Sequence, residues 1–307
     1  MGRWKTVVAW VIVAPFALWA AVRLSGWDAT FRWVQLVSFT PYVAAASVVV
    51  PVIALVLRRR APAVAGAAVV AVFAALLAPR VVPDGEPRAE GPELRVLAAN
   101  LLFGRTPAAD VLRLVRTLDV DVLALSELPS PAKDTLEKAG IGEYLPYSQD
   151  GTNETTLYSA YPLKVPGPSP AGAVRAQVEV PGAGGIVEVV AVHTCAPLYP
   201  GLDQCWRDSQ AALPAATPDG AVRVLAGDFN ATLDHATLRA VLATGYRDAA
   251  EVRGAALRST WPADGRPLPG VAIDHVFADR RVAVLGYSVH TLPDSDHRGV
   301  FALLRLP

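Results

Sequence analysis

Cysteine is nearly absent: the 307 residues contain two, Cys195 and Cys205, in "HTCAPLYPGLDQC". Neither has a spacing that suggests a zinc site. An extracytoplasmic compartment would permit a disulfide between them, closing one short loop, and two unpaired buried thiols is the other reading. Net charge is absent too, since 28 basic residues balance 28 acidic ones. The balance conceals an asymmetry. Seven basic residues but only Asp28 among the acidic ones precede residue 79, leaving 21 basic against 27 acidic residues in the remainder, a net of −6. A surface that binds phosphates along a duplex is expected to be basic, so an extended polynucleotide is disfavoured as substrate, whereas a short phosphorylated or lipid-linked molecule is not. No internal repeat is visible.

What the chain has in excess is apolar sequence: 52% of residues are hydrophobic and the mean hydropathy is +0.33, too high for an ordinary soluble domain. The excess lies at the front, in nearly charge-free runs over 7–24, 34–57 and 61–78, each close to the ~17–25 residues that cross a bilayer as a helix. Three transmembrane helices are predicted. Arg3, Lys5 and Arg58-Arg59-Arg60 fall on one side, against Arg23, Arg32 and Asp28 on the other, which puts the N-terminus in the cytoplasm and everything after about residue 79 outside the cell membrane. A cleaved signal is the rival reading of the first run; it would leave two crossings and the same location.

Residues 79–93, "PRVVPDGEPRAEGPE", have no hydrophobic period and read as a linker. From Leu94 to the end, short apolar runs alternate with a few amphipathic stretches. "LRVLAANL", "DVLALSEL", "TTLYSAYPL", "AVRAQVEV", "GIVEVVAVHT", "AIDHVFA", "VAVLGYSV" and "VFALLRL" read as strands, as does the run in "VRVLAGDFNAT" that ends at Gly227-Asp228. "PAADVLRLVRTL", "DQCWRDSQAAL" and "HATLRAVLAT" read as helices. Several strand pairs have room only for a turn, which excludes a doubly wound parallel fold. The expectation for 94–307 is one α/β domain with two sheets face to face and helices on the outsides.

Polar residues recur at the strand ends: Asn100, Glu127, His193, Asp228 with Asn230, Asp274, and Asp296-His297 before the last strand. These types suit divalent-metal phosphoester hydrolysis. Mg²⁺ takes oxygen ligands, usually with one or two carboxylates from the protein, so Glu127 with Asn100, and Asp296 as a further oxygen, could hold it, Mn²⁺ being the alternative ion. His297 is the candidate base and Asp274 the carboxylate that orients it. Asp228 and Asn230, on one face of a strand if its alternation continued, would align water and phosphate, and His193 would hydrogen-bond a phosphoryl oxygen. Asp234, His235 and His290 match no chemistry, His275 reads as structural, and Trp206 and Trp261 read as packing residues.

"RVLAANL", "DVLALSEL", "VVAVHTCAP", "VLAGDFNAT", "AIDHVFA" and "SDHRGV", in that order, resemble the endonuclease/exonuclease/phosphatase superfamily of DNase I-like enzymes, in a membrane-anchored bacterial form. The resemblance covers about 94–307. It implies the four-layered α/β/β/α sandwich, Asn100 and Glu127 as metal ligands, Asp228 as catalytic Asp, Asn230 at the phosphate, His297 as base with Asp274 orienting it, and His193 assisting at the phosphate. Where many members read Ser-Arg-Tyr-Pro this chain has Ser159-Ala160-Tyr161-Pro162, expected to remove a cation near the substrate face; Arg175 or Arg298 could replace it. The resulting expectation is a membrane-anchored, Mg²⁺-dependent phosphoesterase of the extracytoplasmic side, acting on a phosphorylated or pyrophosphorylated lipid or another small phosphoester. An anchored extracellular nuclease and a non-catalytic membrane binding protein are the alternatives.

Overall fold

The computed structural model describes residues 3–170 and 172–307. The chain opens with five helices, α1 (Arg3–Ser25), α2 (Phe31–Val37), α3 (Thr40–Ser47), α4 (Val49–Val56) and α5 (Arg60–Leu77), the last extended by a 3-10 turn at Ala78–Arg80. A sandwich follows. Its first half runs β1 (Glu93–Asn100), α6 (Ala108–Thr117), β2 (Val122–Ser126), α7 (Ser130–Lys138), β3 (Tyr147–Asp150), β4 (Thr156–Ser159), β5 (Leu163–Lys164) and β6 (Ala173–Val178). The second half runs β7 (Val187–His193), α8 (Leu202–Ala211), β8 (Val222–Asp228), α9 (Ala236–Ala243), β9 (Tyr246–Asp248), α10 (Ala249–Val252), β10 (Asp274–Asp279), β11 (Ala283–Thr291) and β12 (Arg298–Arg305).

The strands form two six-stranded sheets, ordered β11-β12-β1-β2-β4-β3 and β5-β6-β7-β8-β10-β9. Strand alternation sorts the side chains. Val96 and Ala98 of β1, Val189 and Ala191 of β7, and Val224 and Ala226 of β8 face the seam between the sheets, in one buried apolar cluster. Their neighbours in sequence face outward: Leu97 and Ala99 toward Val111 and Leu114 of α6 and Leu136 of α7, Val190, Val192 and Leu225 toward Trp206 of α8 and Leu238 of α9. Strands buried on both faces therefore read as continuous apolar runs, and the layers are α/β/β/α.

Two helices, Arg3–Ser25 and Arg60–Arg80, are long and apolar enough to cross a membrane. The second expected crossing, 34–57, differs. Its sequence is bent by 63° between Phe31–Val37 and Thr40–Val56, because helix geometry lapses at Phe39 and restarts with Pro41 in its first turn. A second, gentler interruption separates α3 from α4, where Pro51 has no N–H for the Ser47 carbonyl. The α3–α4 arm still runs the length of the bundle: Ala44 packs with Ala20 and Phe73, and Ala54 with Ala9 and Ala63.

The helix α2 leaves the bundle and lies on the sandwich. Val34 is buried among the side chains of α8 and α9, and its carbonyl meets His235 Nε2 at 2.7 Å. The Asp28 carboxylate accepts from the first amides of α9, Ala236 N and Thr237 N. At the centre is Asp234, bonded by Arg23 Nε at 2.8 Å from the end of α1 and by both Nη groups of Arg80 at 2.7 Å from the end of α5. Burial works against the charged carboxylate, but Arg80 and Arg23 outweigh it and hold the Asp234 pKa below the ordinary value. Residues 79–93 add backbone contacts to the sandwich, Ala256 N to Arg80 O, Asp84 N to Val252 O and Gly91 N to Leu306 O.

Removing one member of a buried ion pair strands its partners, whereas an exposed pair is worth little. Asp234→Ala is expected to destabilise the full-length protein by about 3–5 kcal/mol, and Lys164→Ala, which breaks the exposed pair with Glu179, by less than about 1 kcal/mol. Thermal unfolding of both variants in detergent micelles checks the contrast.

Candidate active site

Strand pairing carries the strand-end residues to one edge of the sandwich. Asn100 lies beside Ser126 in the parallel β1/β2 pair, and His193 beside Asp228 in the parallel β7/β8 pair. Antiparallel β10 starts there with Asp274 opposite Asp228, and Asp296-His297 precede β12, which pairs with β1. Glycine is obligatory before Asp228: Gly227 has φ +149°, and a Cβ on it would lie 2.0 Å from the Val192 carbonyl oxygen. Strand alternation does not continue past Asp228. Asn230 adopts φ +46°, with its own N–H donating to Asp228 Oδ1 at 2.8 Å and its Nδ2 to the Thr194 carbonyl at 3.0 Å.

All eight expected site residues belong to one contact network. Asn100 Nδ2 donates to Glu127 Oε1 at 2.9 Å and to Asp228 Oδ2 at 3.1 Å, while its Oδ1 accepts from Leu102 N. Glu127 Oε2 accepts from Phe103 N, and its Oε1 is 3.8 Å from His193 Nε2. The other nitrogen of His193 is 3.3 Å from the Asn153 carbonyl. His297 Nδ1 lies 2.9 Å from Asp274 Oδ2, and its Nε2 is 3.8 Å from Asp228 Oδ2 and 3.9 Å from Asp296 Oδ1.

Three carboxylates around one buried imidazole set its charge. Burial opposes the imidazolium of His297, but Asp274, Asp228 and Asp296 together outweigh that cost and push its pKa up to about 10. Burial raises the pKa of Asp228, with the His297 imidazolium pulling against it.

Several supporting residues carry no sequence signal. Thr260 Oγ1 accepts from Ile273 N and Asp274 N, and Ser295 Oγ bridges the Asn100 carbonyl and His297 N. Asp296 Oδ2 is held by Trp261 Nε1 at 3.0 Å and Arg266 Nη2 at 3.1 Å, so Trp261 is more than packing. Other expectations fall elsewhere. Ser159 pairs with Val122, at the end of β2 opposite Ser126, so the stretch lacking arginine is remote from the site and says nothing about its substrate. Arg298 is tied to Ser259, and Arg175 lies by Glu188. His275 is buried against Asp248 at 2.7 Å, and His290 bonds Ser288. Cys195 and Cys205 form a disulfide, which ties the loop after His193 to α8.

The donor set fits a divalent metal ion. Its groups are oxygen-rich, and Asp296 Oδ1 is buried with no hydrogen-bond partner, an orphaned anionic oxygen facing the same space as Asp228 and His297. One oxygen of Asp228, one of Asp274 and a His297 ring nitrogen also lie within 4.8 Å of one another.

A sequence model for the endonuclease/exonuclease/phosphatase family matches residues 97–297. Among solved structures, an endonuclease/exonuclease/phosphatase from Beutenbergia cavernae DSM 12333 is similar at 22% identity and a TM-score of 0.52, with 71% of this chain and 72% of that chain covered. TDP2 of D. rerio, in complex with a single-strand DNA product, is similar at 17% identity and a TM-score of 0.52 over 69% of this chain and 99% of that one. A family protein from Leptotrichia buccalis C-1013-b reaches 15% identity and a TM-score of 0.50 over 69% of this chain and 100% of that one. These likenesses concern the fold. No curated protein matches the sequence.

A group whose pKa is raised on folding stabilises the native state below its unfolded value and loses that contribution as pH rises through the folded value. For His297 the window runs from about 6.5 to about 10. In EDTA, the melting temperature of the wild type should fall more steeply across this window than that of His297→Gln; parallel curves would contradict the assigned charge.

Proposed function

The chain belongs to the endonuclease/exonuclease/phosphatase family, and on that premise we propose that it is a divalent-metal-dependent phosphoesterase held at the outer face of a membrane, acting on a phosphorylated lipid. The observation that carries the hydrolytic reading is the His297–Asp274 pair, whose free Nε2 faces Asp228 and the unpartnered oxygen of Asp296.

In this reading Glu127, Asn100 and Asp296 would hold Mg²⁺ or Mn²⁺. When bound, the ion would supply charge neutralisation at the phosphoryl oxygens and would offset part of the carboxylate field around His297. Asp274 accepts from Nδ1–H, which fixes the tautomer and leaves Nε2 to take a proton from water. The water oxygen bonds to phosphorus as the ester P–O bond breaks, and the leaving oxygen departs with the bonding pair. Asp228 and Asn230 align water and phosphate, and His193 Nε2 points at the space before Glu127 to contact a phosphoryl oxygen.

The membrane reading rests on the α3–α4 arm, which packs against both α1 and α5 from one end of the bundle to the other, so three crossings leave the sandwich outside if the basic end is cytoplasmic. The substrate class rests on where the site opens. Gln35 Nε2 of α2 donates to the Pro197 carbonyl and Tyr42 Oη of α3 to the Gly270 carbonyl, so two loops flanking the site are bonded to the helices at their junction with the sandwich. Phe103, Leu198, Tyr199 and Leu268, on loops at this same edge, are all exposed, an apolar rim suited to a membrane-borne molecule. The TDP2 complex with single-strand DNA favours a nuclease as the second reading; the acidic balance of the outer part weighs against it.

Full-length protein in mixed micelles with Mg²⁺ should release phosphate from polyprenyl phosphate or pyrophosphate and leave plasmid DNA intact. His297→Ala should lower the turnover by ~10²–10⁴-fold. Cutting of plasmid with no release from the lipids would establish the nuclease instead, and unaltered activity of His297→Ala would refute the assigned base.

A further inference from the structure

Beside the Asp234 cluster the junction of helices and sandwich holds a groove of about 640 Å³. Its walls are the ends of α1 and α5, through Leu24, Leu76 and Pro79, and the side of α9, through Leu242 and Ala243; Arg23, Arg80 and Arg239 line it as cations against one acid, Glu251. A second cavity of about 500 Å³ adjoins it and shares Ala75, Pro79, Leu242 and Glu251.

The three guanidinium groups are not equivalent. Arg23 and Arg80 saturate both oxygens of Asp234. Arg239 is half-buried and, among the described residues, has no carboxylate partner: it donates to the backbone carbonyls of Leu233 and Asp234. The nearby acids are engaged elsewhere. Asp28 caps α9, and Glu251, which also lines the groove, has no ion pair with Arg239, burial raising its pKa. A half-buried cation bonded only to carbonyls is incompletely compensated: burial, with Arg23 and Arg80 beside it, lowers the Arg239 pKa to about 10, although the more distant Asp28 and Asp234 carboxylates pull the other way.

Position suggests which anion would pair directly with Arg239. The groove lies at the ends of the two helices long enough to cross a membrane, where a bilayer's headgroups meet its acyl chains. We propose that this groove binds one anionic phospholipid, its phosphate on Arg239 and its acyl chains along the outer ends of α1 and α5. The site is separate from the catalytic cleft and does not depend on the proposed hydrolytic activity, only on the membrane-spanning reading.

The test is native mass spectrometry of full-length protein released from nanodiscs of equal phosphatidylglycerol and phosphatidylcholine. The wild type should retain one phosphatidylglycerol at least about tenfold over phosphatidylcholine, a difference of about 1.4 kcal/mol. Arg239→Gln, and Ala243→Trp, which fills the groove from an exposed helix position, should both lose the preference. Arg239→Lys should keep most of it, and Arg116→Gln, an exposed cation on α6, should match the wild type. Retention of phosphatidylglycerol by both Arg239→Gln and Ala243→Trp would overturn the proposal, as would equal retention of the two lipids by the wild type. If millimolar inorganic phosphate raised the melting temperature as much as phosphatidylglycerol does, the acyl chains would contribute nothing and the lipid assignment would fall. A chain that washes off membranes in carbonate would refute the spanning reading instead.

Discussion

Four carboxylates, Glu127, Asp228, Asp274 and Asp296, share one cleft with two histidines, and compensation of that negative charge governs the site. Water is largely excluded, so each charge needs a partner. The protein meets the demand in part: Asn100 donates to Glu127 and Asp228, Trp261 and Arg266 hold Asp296, and His297 sits among three of the acids. What is left over appears as the raised pKa of His297 and the orphaned oxygen of Asp296. Both are what a divalent cation would relieve, so the charge balance of the side chains and the chemistry proposed for them have a common origin.

The loop from 228 to 235 ties this cleft to the helices. Asp228 and Asn230 face the site, while four residues later Asp234 and His235 face α1, α2 and α5. Between them Phe229 and Ala231 are buried. Trp206 of α8 also joins the two ends, its indole N–H on the Asn230 carbonyl at 2.9 Å and its ring against His235 at 5.0 Å. This short, packed loop joins the edge that carries the carboxylates to the helix bundle.

Legibility in the sequence followed the reach of the forces involved. The strands of the two sheet centres and helices α6, α8 and α9 were readable because their burial patterns repeat locally. Short edge strands β3, β5 and β9 and the polar helix α7 were not, since neighbouring strands and packing define them. The bend before Thr40 leaves no mark in the hydropathy, which runs unbroken through Val37 and Phe39; Pro41 is its only local sign. Asp234 and His235 carry no local signal, for their partners lie about 155 to 210 residues away along the chain.

The sequence by itself determined the apolar helices, the two-sheet α/β class and the inventory of acids, amides and histidines at strand ends, all of which rest on local periodicity and residue chemistry. Tertiary structure decided which of those groups meet, that Trp261 and Arg266 serve Asp296, and that Asp234 anchors the helices. Contacts between distant segments depend on sheet register and loop path, and the pairing of one carboxylate with two distant arginines leaves no periodic trace in the chain.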